Sequence, residues 1–408
     1  MIKRMIRILE KWLGTKCTPN GKAMKKERTG TTMQARLTLQ RLETYLMSKY
    51  DFRFNVLTEQ AEYREKDGND FQQVNQRVMN TLCLEAQSSG IACWDRDVSR
   101  LLCSKRIADY HPFRSYVDHL PAWDGTDRVS ELAQRISDAP WWTDGFHRWM
   151  LGMTAQWMEM PLRCANAMAP LLISTKQGQC KSTFCSILLP EELQRFYTDK
   201  FDITSESGCE QKISYFGLVN MDEFDRYSPR AMATLKNLMQ IKKPNFRKSH
   251  RNYYSQLPRI ASFIGTSNQK GLLTDTTGSR RFLCVEVTEK IDCTPPDHVQ
   301  LYAQLKAELL AGERYWFTSE EEALIQENNR AYYKLQPEEE VFFRCFRLPE
   351  ESEDGLQLSA TEIFCQLQKK YPAAFRSCNV KSMGKILLSL GVHRVRTRWG
   401  SMYRVIPL

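Results

Sequence analysis

Residues 174–183 read STKQGQCKST, and the apolar run APLLIS at 169–174 leads into them. A loop that cradles phosphate needs a buried strand, a turn whose backbone N–H groups face inward, a lysine, and a hydroxyl that opens a helix. The apolar run supplies the strand. Gln177, Gly178, Gln179 and Cys180 supply the turn, Lys181 the cation for a β- or γ-phosphate, and Ser182 an oxygen for magnesium, with Thr183 continuing into the helical stretch STFCSILL. Against the pattern G-x-x-x-x-G-K-[ST], Thr175 and Cys180 stand where the two glycines belong. A Cβ at position 180 strains such a turn by about 1–2 kcal/mol, which predicts slower or weaker nucleotide handling and not its loss.

Three downstream segments decide between a working loop and a chance Lys-Ser-Thr. Residues 216–225, FGLVNMDEFD, form an apolar strand ending in two carboxylates. A nucleotide hydrolase needs one carboxylate to hold magnesium and a second to polarise the attacking water; Asp222 suits the first task and Glu223 the second. A third strand, RIASFIGTSN at 259–268, ends in Asn268. At the tip of a strand lying between the loop strand and the acidic strand, that amide can orient water against a terminal phosphate. TGSRRF at 277–282 then sets Arg280 and Arg281 beside a Gly-Ser turn, where a guanidinium can meet an anionic transition state, in ring-shaped assemblies from a neighbouring subunit. Four features in this order predict a site for ATP and Mg2+.

The chain has 408 residues, 42% of them hydrophobic and 26% charged, enough for two or three domains with sizeable cores. A formal net charge of +10 favours a polyanionic partner, nucleic acid ahead of anionic membrane. Thirteen cysteines, with no CxxC pair and no zinc spacing, read as reduced cytosolic thiols. No apolar run reaches the roughly 20 residues of a membrane span.

The expected organisation starts with an amphipathic helix and basic linker at 1–32, where the helix is read as docked on protein and, as the alternative, as lying on a membrane surface. A mostly helical region (33–160) with a short hairpin at 51–65 comes next, and LPAWDGTDR (120–128) within it reads as a turn that docks one helix on another. From 161 to 348, buried strands alternate with helices, the pattern of an α/β domain with a mainly parallel sheet. An acidic linker (349–357) leads to a tail (358–408) of helix, helix and a hairpin turning at Gly400, the plan of a winged helix-turn-helix.

The sequence resembles the virulence-associated protein E family of phages and mobile genetic elements. The likeness runs through LPAWDGTDR, QGQCKSTF, VNMDEFD, LPRIASFIGTSN and TGSRRFLCVEV. It implies a P-loop ATPase core similar to superfamily 3 helicases and AAA+ proteins, and a homo-oligomeric, hexameric ATPase acting on DNA during replication of the element. By the same likeness Lys181 and Ser182 bind nucleotide and metal, Asp222 and Glu223 form the acidic motif, Asn268 is the sensor, and Arg280 or Arg281 the finger.

Helicases of that class carry a pore hairpin between the acidic and sensor strands. Here that interval holds Phe246, Arg247, Lys248, His250 and Arg251, whose cations can track phosphates while aromatic rings stack bases; a plain solvated basic loop is the alternative. Arg394, Arg396 and Arg398 in the tail can hold duplex backbone or dock a protein. The expected activity is that of an ATP-dependent DNA motor drawing on single-stranded DNA, with an ATP-switched replication initiator or regulator as the alternative.

Overall fold

A computed structural model describes residues 36–408 apart from 162, 204–205, 248–253, 256, 274–278, 350–352 and 399. The expected helix and linker at 1–32 lie outside the described residues. The chain divides into two compact units, one up to Tyr116 and one from Val117 onward.

In the first unit a helix, α1 (36–49), leads into the expected hairpin of β1 (Tyr50–Asn55) and β2 (Gln60–Glu65), paired from Tyr50↔Glu65 to Asn55↔Gln60. Alternation sorts the side chains. Tyr50, Phe52, Phe54, Ala61 and Tyr63 pack with Leu42, Leu46 and Leu82. On the opposite face Arg53 bonds the fully buried Glu62 at 2.6 Å and stacks on Phe71 and Tyr110. The hairpin is more than a break in helical texture, because β3 (Gln72–Gln73) and β4 (Asp109–Tyr110) widen it into a four-stranded sheet ordered β3-β2-β1-β4. Helices α2 (Gln76–Ser88) and α3 (Asp95–Leu102) complete its core.

The second unit opens with the LPAWDGTDR segment. Asp124 clamps Arg128 through two bonds of 2.7 Å, and the backbone N–H groups of Asp124 and Arg128 donate to the side-chain oxygens of Gln300 and Gln304. Turn chemistry thus docks α4 (Arg128–Gln134) on the later helix His298–Leu310, as its residues predict. The long α5 (Pro140–Trp157) buries Trp142, Phe146 and Trp149.

A five-stranded, wholly parallel sheet comes next, ordered β11-β5-β10-β7-β6. Its members are β5 (Ala169–Ile173), β6 (Tyr197–Thr198), β7 (Leu218–Met221), β10 (Ser262–Ser267) and β11 (Phe282–Glu286). Strands covered on both faces read as unbroken apolar runs, not alternating ones, and every residue of β5, β7 and β10 is buried. The strand ending at Asn268 lies between the loop strand and the acidic strand, as expected. Gly265 makes that fit possible: a Cβ there would meet Leu171 Cδ2 at 2.7 Å and the Met221 carbonyl at 3.1 Å. Helices α6 (Lys181–Ile187), α7 (Glu206–Ile213) and α8 (Pro229–Leu238) fall between the strands, and β8 (Phe246–Arg247) pairs antiparallel with β9 (Tyr254–Ser255). After β11 come α9 (His298–Leu310) and α10 (Ser319–Asn328).

The tail builds on α11 (Pro337–Cys345), β12 (Phe346–Arg347), β13 (Leu356–Ser359), α12 (Ala360–Lys370), α13 (Val380–Ser389), β14 (Arg394–Thr397) and β15 (Gly400–Pro407). β15 pairs with all three other strands, and its hairpin with β14 closes at Thr397↔Gly400. Phe342, Phe346, Ile363, Leu367, Met383, Leu387 and Val405 form one core, so α11 and β12 pack with the segments beyond the acidic stretch.

Candidate functional site

In an open parallel sheet the crevice beyond the carboxyl ends of the strands is where ligands settle, and β5, β7 and β10 all deliver polar groups there. Just past β5, the Ser174 N–H donates to the Ser267 carbonyl at 3.1 Å and its hydroxyl accepts from the Lys176 N–H at 3.2 Å. The loop then takes two left-handed steps, at Gly178 (φ +77°) and at Cys180 (φ +61°, ψ +24°). The conformation normally given to glycine is therefore kept with a Cβ present, at a cost of about 1–2 kcal/mol. Gln177, Ser182 and Thr183 are exposed along the loop and first helical turn, Gln179 and Cys180 half-buried.

Lys181 is buried, and its amine donates to Asn268 Oδ1 at 2.9 Å. Burial pushes that amine down, with Asp222 pulling the other way. Ser182 Oγ donates to Asp222 Oδ1 at 2.8 Å, and the Thr266 hydroxyl bonds the same oxygen. Lys181, Ser182, Asp222 and Asn268, spread over nearly ninety positions of sequence, thus meet at one place. Glu223 stands next to them in a third left-handed conformation (φ +51°, ψ +48°), its carboxylate on Arg226 at 2.5 Å. Two of the four non-glycine residues with positive φ among those described are therefore at this crevice. Held strain of this kind clusters at working sites.

Three contributors were missed by sequence reasoning. Thr266 and Ser267 look like the polar end of a strand, yet one bonds Asp222 and the other donates to Asp225 at 2.8 Å. The third is a strap at 287–297 that crosses the back of the loop. The Ile291 N–H donates to the Gln179 carbonyl at 3.2 Å, and Cys293 Sγ lies 3.5 Å from the Cys180 carbonyl. Arg135 of the α4 C-terminus holds the strap in turn, through the carbonyls of Asp292 and Thr294.

The remaining predicted residues come from other segments of the chain. Arg280 and Arg281 occupy a single helical turn before β11, and Arg280 pairs with Glu322 of α10 at 3.3 Å. At the β8–β9 hairpin Phe246 is buried, which takes its ring out of reach of a base and corrects the expectation that it stacks there. Packing at the hairpin root claims it, beside Asn245, whose N–H donates to Glu210 at 3.0 Å. Arg247 leaves that root on β8, while Lys248, His250 and Arg251 lie outside the described residues. Below the hairpin, the Arg259 N–H closes the base on the Lys242 carbonyl at 3.0 Å. Its buried guanidinium donates to the carbonyls of Asn166, Leu238, Met239 and Ala261, and burial lowers it to about 9. In the tail Arg394 and Arg396 are exposed on β14 and Arg398 just beyond it, with Arg394 Nε on Ser401 at 2.8 Å.

The donor set suits a magnesium nucleotide. A hydroxyl and a carboxylate 2.8 Å apart are hard oxygen ligands. Among the described residues there is no cluster of three His, Cys, Asp or Glu that could cage a metal, so magnesium here would draw further oxygens from phosphate and water. No helix among the described residues is long and apolar enough to cross a membrane.

A family model for the virulence-associated protein E-like domain matches residues 117–334, and a second, for a domain of unknown function from a B. theta gene description (DUF3874), matches residues 336–405. No curated protein matches the chain. Among solved structures, the apo C-terminal region of NrS-1 (305–718) is 12% identical, covers 90% of this chain and 98% of its own, and superposes with a TM-score of 0.44. A structure described as "SCCmec type IV Cch - active helicase" is 9% identical, covers 83% and 72%, and gives 0.25.

Proposed function

The chain belongs to the virulence-associated protein E-like family, and on that premise we propose that it is an ATP-hydrolysing DNA motor with a P-loop core and a small winged-helix-like tail. The observation that carries the reading is the meeting of Lys181, Ser182, Asp222 and Asn268 beside a loop with two left-handed steps. Alternating backbone of that kind turns N–H groups toward a common centre, a nest for phosphate oxygens.

Each side chain has a task. Lys181 leaves Asn268 to neutralise the β- and γ-phosphates, and Asn268, released, orients water against the terminal phosphorus. Ser182 and Asp222 would hold magnesium, which when bound offsets charge on the phosphate oxygens. Glu223 takes a proton from the attacking water after parting from Arg226. Arg280 or Arg281, freed from its own subunit, reaches the triphosphate of a neighbour in a ring, for which a hexamer is the expected form. The basic hairpin grips single-stranded DNA through its phosphates, and the β14 arginines hold duplex DNA.

ATP turnover with and without single-stranded DNA tests this. Stimulated hydrolysis should vanish in Lys181→Ala and Glu223→Gln, and wild-type rates in both variants would end the proposal. A second reading, an initiator that binds ATP as a switch and unwinds nothing, is favoured by one contact: the Glu223 carboxylate is already engaged by Arg226 at 2.5 Å. Strand displacement on a forked substrate separates the two.

A further inference from the structure

Cys180 occupies a glycine position, and it also carries a thiol. The described cysteines are all free thiols, and two pairs of them lie in contact. Cys83 and Cys93 each point at the other's carbonyl, at 3.8 and 3.9 Å, but both are buried in the first unit and out of reach of solutes. The second pair is Cys180 and Cys293. Cys293 Sγ is 3.5 Å from the Cys180 carbonyl, and both residues are half-buried. One belongs to the phosphate-type loop, the other to the strap behind it. The strap is itself fixed, by Ile291 on Gln179 and by Arg135 on Asp292 and Thr294.

We propose that Cys180 and Cys293 are a redox modification site, whose reversible disulfide ties the loop to the strap and removes its capacity to fold around phosphate. The modification stands on the thiol geometry alone; its consequence for nucleotide rests on the ATP-binding reading. Hydrogen peroxide is the oxidant. The Cys180 thiolate attacks one peroxide oxygen, the O–O bond breaks, and a sulfenic acid forms as hydroxide leaves to become water. Cys293 sulfur then attacks the Cys180 sulfur, the S–O bond breaks, and the second oxygen departs as water with the Cys293 proton. Two thiols are oxidised by two electrons and one peroxide is reduced to two waters. The same bridge forms whichever of the two sulfurs meets peroxide first. Transient, catalytic or sensing bridges are the kind that a reducing cytosol admits, and a dithiol reductant reverses this one by exchange.

The bridge changes the loop at its most constrained point. Cys180 already holds a left-handed backbone immediately before Lys181, and drawing its sulfur to about 2.05 Å from that of Cys293 fixes the turn toward the strap and away from the crevice.

The test uses the full chain, first reduced, then exposed to hydrogen peroxide, alkylated and digested. A peptide joining Cys180 to Cys293, lighter by two hydrogens than its separate halves, is expected. A fluorescent ATP analogue should bind at least about tenfold more weakly after oxidation, a loss of about 1.4 kcal/mol or more, and recover with dithiothreitol. Cys293→Ser should keep in peroxide whatever affinity it has when reduced. Absence of the linked peptide from a protein that binds the analogue overturns the modification and leaves the ATP-binding reading standing. A linked peptide in a protein whose reduced form binds no nucleotide supports the modification and sinks that reading. Equal loss of binding in Cys293→Ser overturns the bridge as the cause.

Discussion

Replacing Cys180 by glycine isolates the strain in the loop. At φ +61° and ψ +24° an L-residue with a Cβ is destabilised by about 1–2 kcal/mol. Glycine removes that term but gains unfolded-state freedom worth about 0.4–1 kcal/mol. The thiol's own contact is slight, since Sγ lies 3.7 Å from the Gly178 carbonyl and S–H is a weak donor. The net expectation for Cys180→Gly is a gain of about 0.5–1 kcal/mol. Cys180→Ala should gain nothing, because it keeps the Cβ. Urea titrations of the three proteins, followed by tryptophan fluorescence, give the comparison. A glycine variant less stable than wild type, or an alanine variant as stable as the glycine one, would refute the strain argument. ATP affinity or turnover should also rise in Cys180→Gly, because the backbone can then approach phosphate more closely.

The same physics gives two further outcomes. His147 is half-buried against Glu308 at 2.6 Å; burial lowers its imidazole, but the hydrogen bond and charge of Glu308, with help from Asp127, raise it more, so the net shift is upward. Its stabilisation is complete below the ordinary value of 6.5 and is lost as pH rises through the raised one. The stability gap between wild type and His147→Gln in urea titrations should therefore be wide at acid pH and narrow in alkali, and a constant gap would contradict this. For the hairpin, Lys248→Ala combined with Arg251→Ala should weaken single-stranded DNA binding and flatten its log–log salt dependence by about 1.4, at about 0.7 per lost phosphate contact; an unchanged slope would move DNA elsewhere.

Much of the fold was readable because burial on both faces leaves a local trace. β5, β7, β10 and β11 each appear as an apolar run, and their polar ends flag Lys181, Asp222 and Asn268 without any knowledge of distance. Gly400 announced the tail hairpin in the same way. Elements of two residues leave no periodicity: β3, β4, β6 and β12 owe their existence to the strand beside them. The strap was invisible for a different reason. Cys293 meets Cys180 across 113 positions of sequence, and no local pattern encodes that contact. Phe246 shows the limit at single residues, since an aromatic ring in a basic segment reads alike whether it faces solvent or the core.

Arg259 has a consequence for how this unit assembles. Its guanidinium is 1% exposed and bonds the backbone carbonyl of nearby Ala261 and those of Asn166, Leu238 and Met239, 93, 21 and 20 positions away. A cation shut away before those oxygens arrive would cost several kcal/mol, so half-assembled species that close over residue 259 too early are penalised. One buried charge thereby makes the C-terminus of α8, the approach to β5 and the entry to β10 arrive together or not at all.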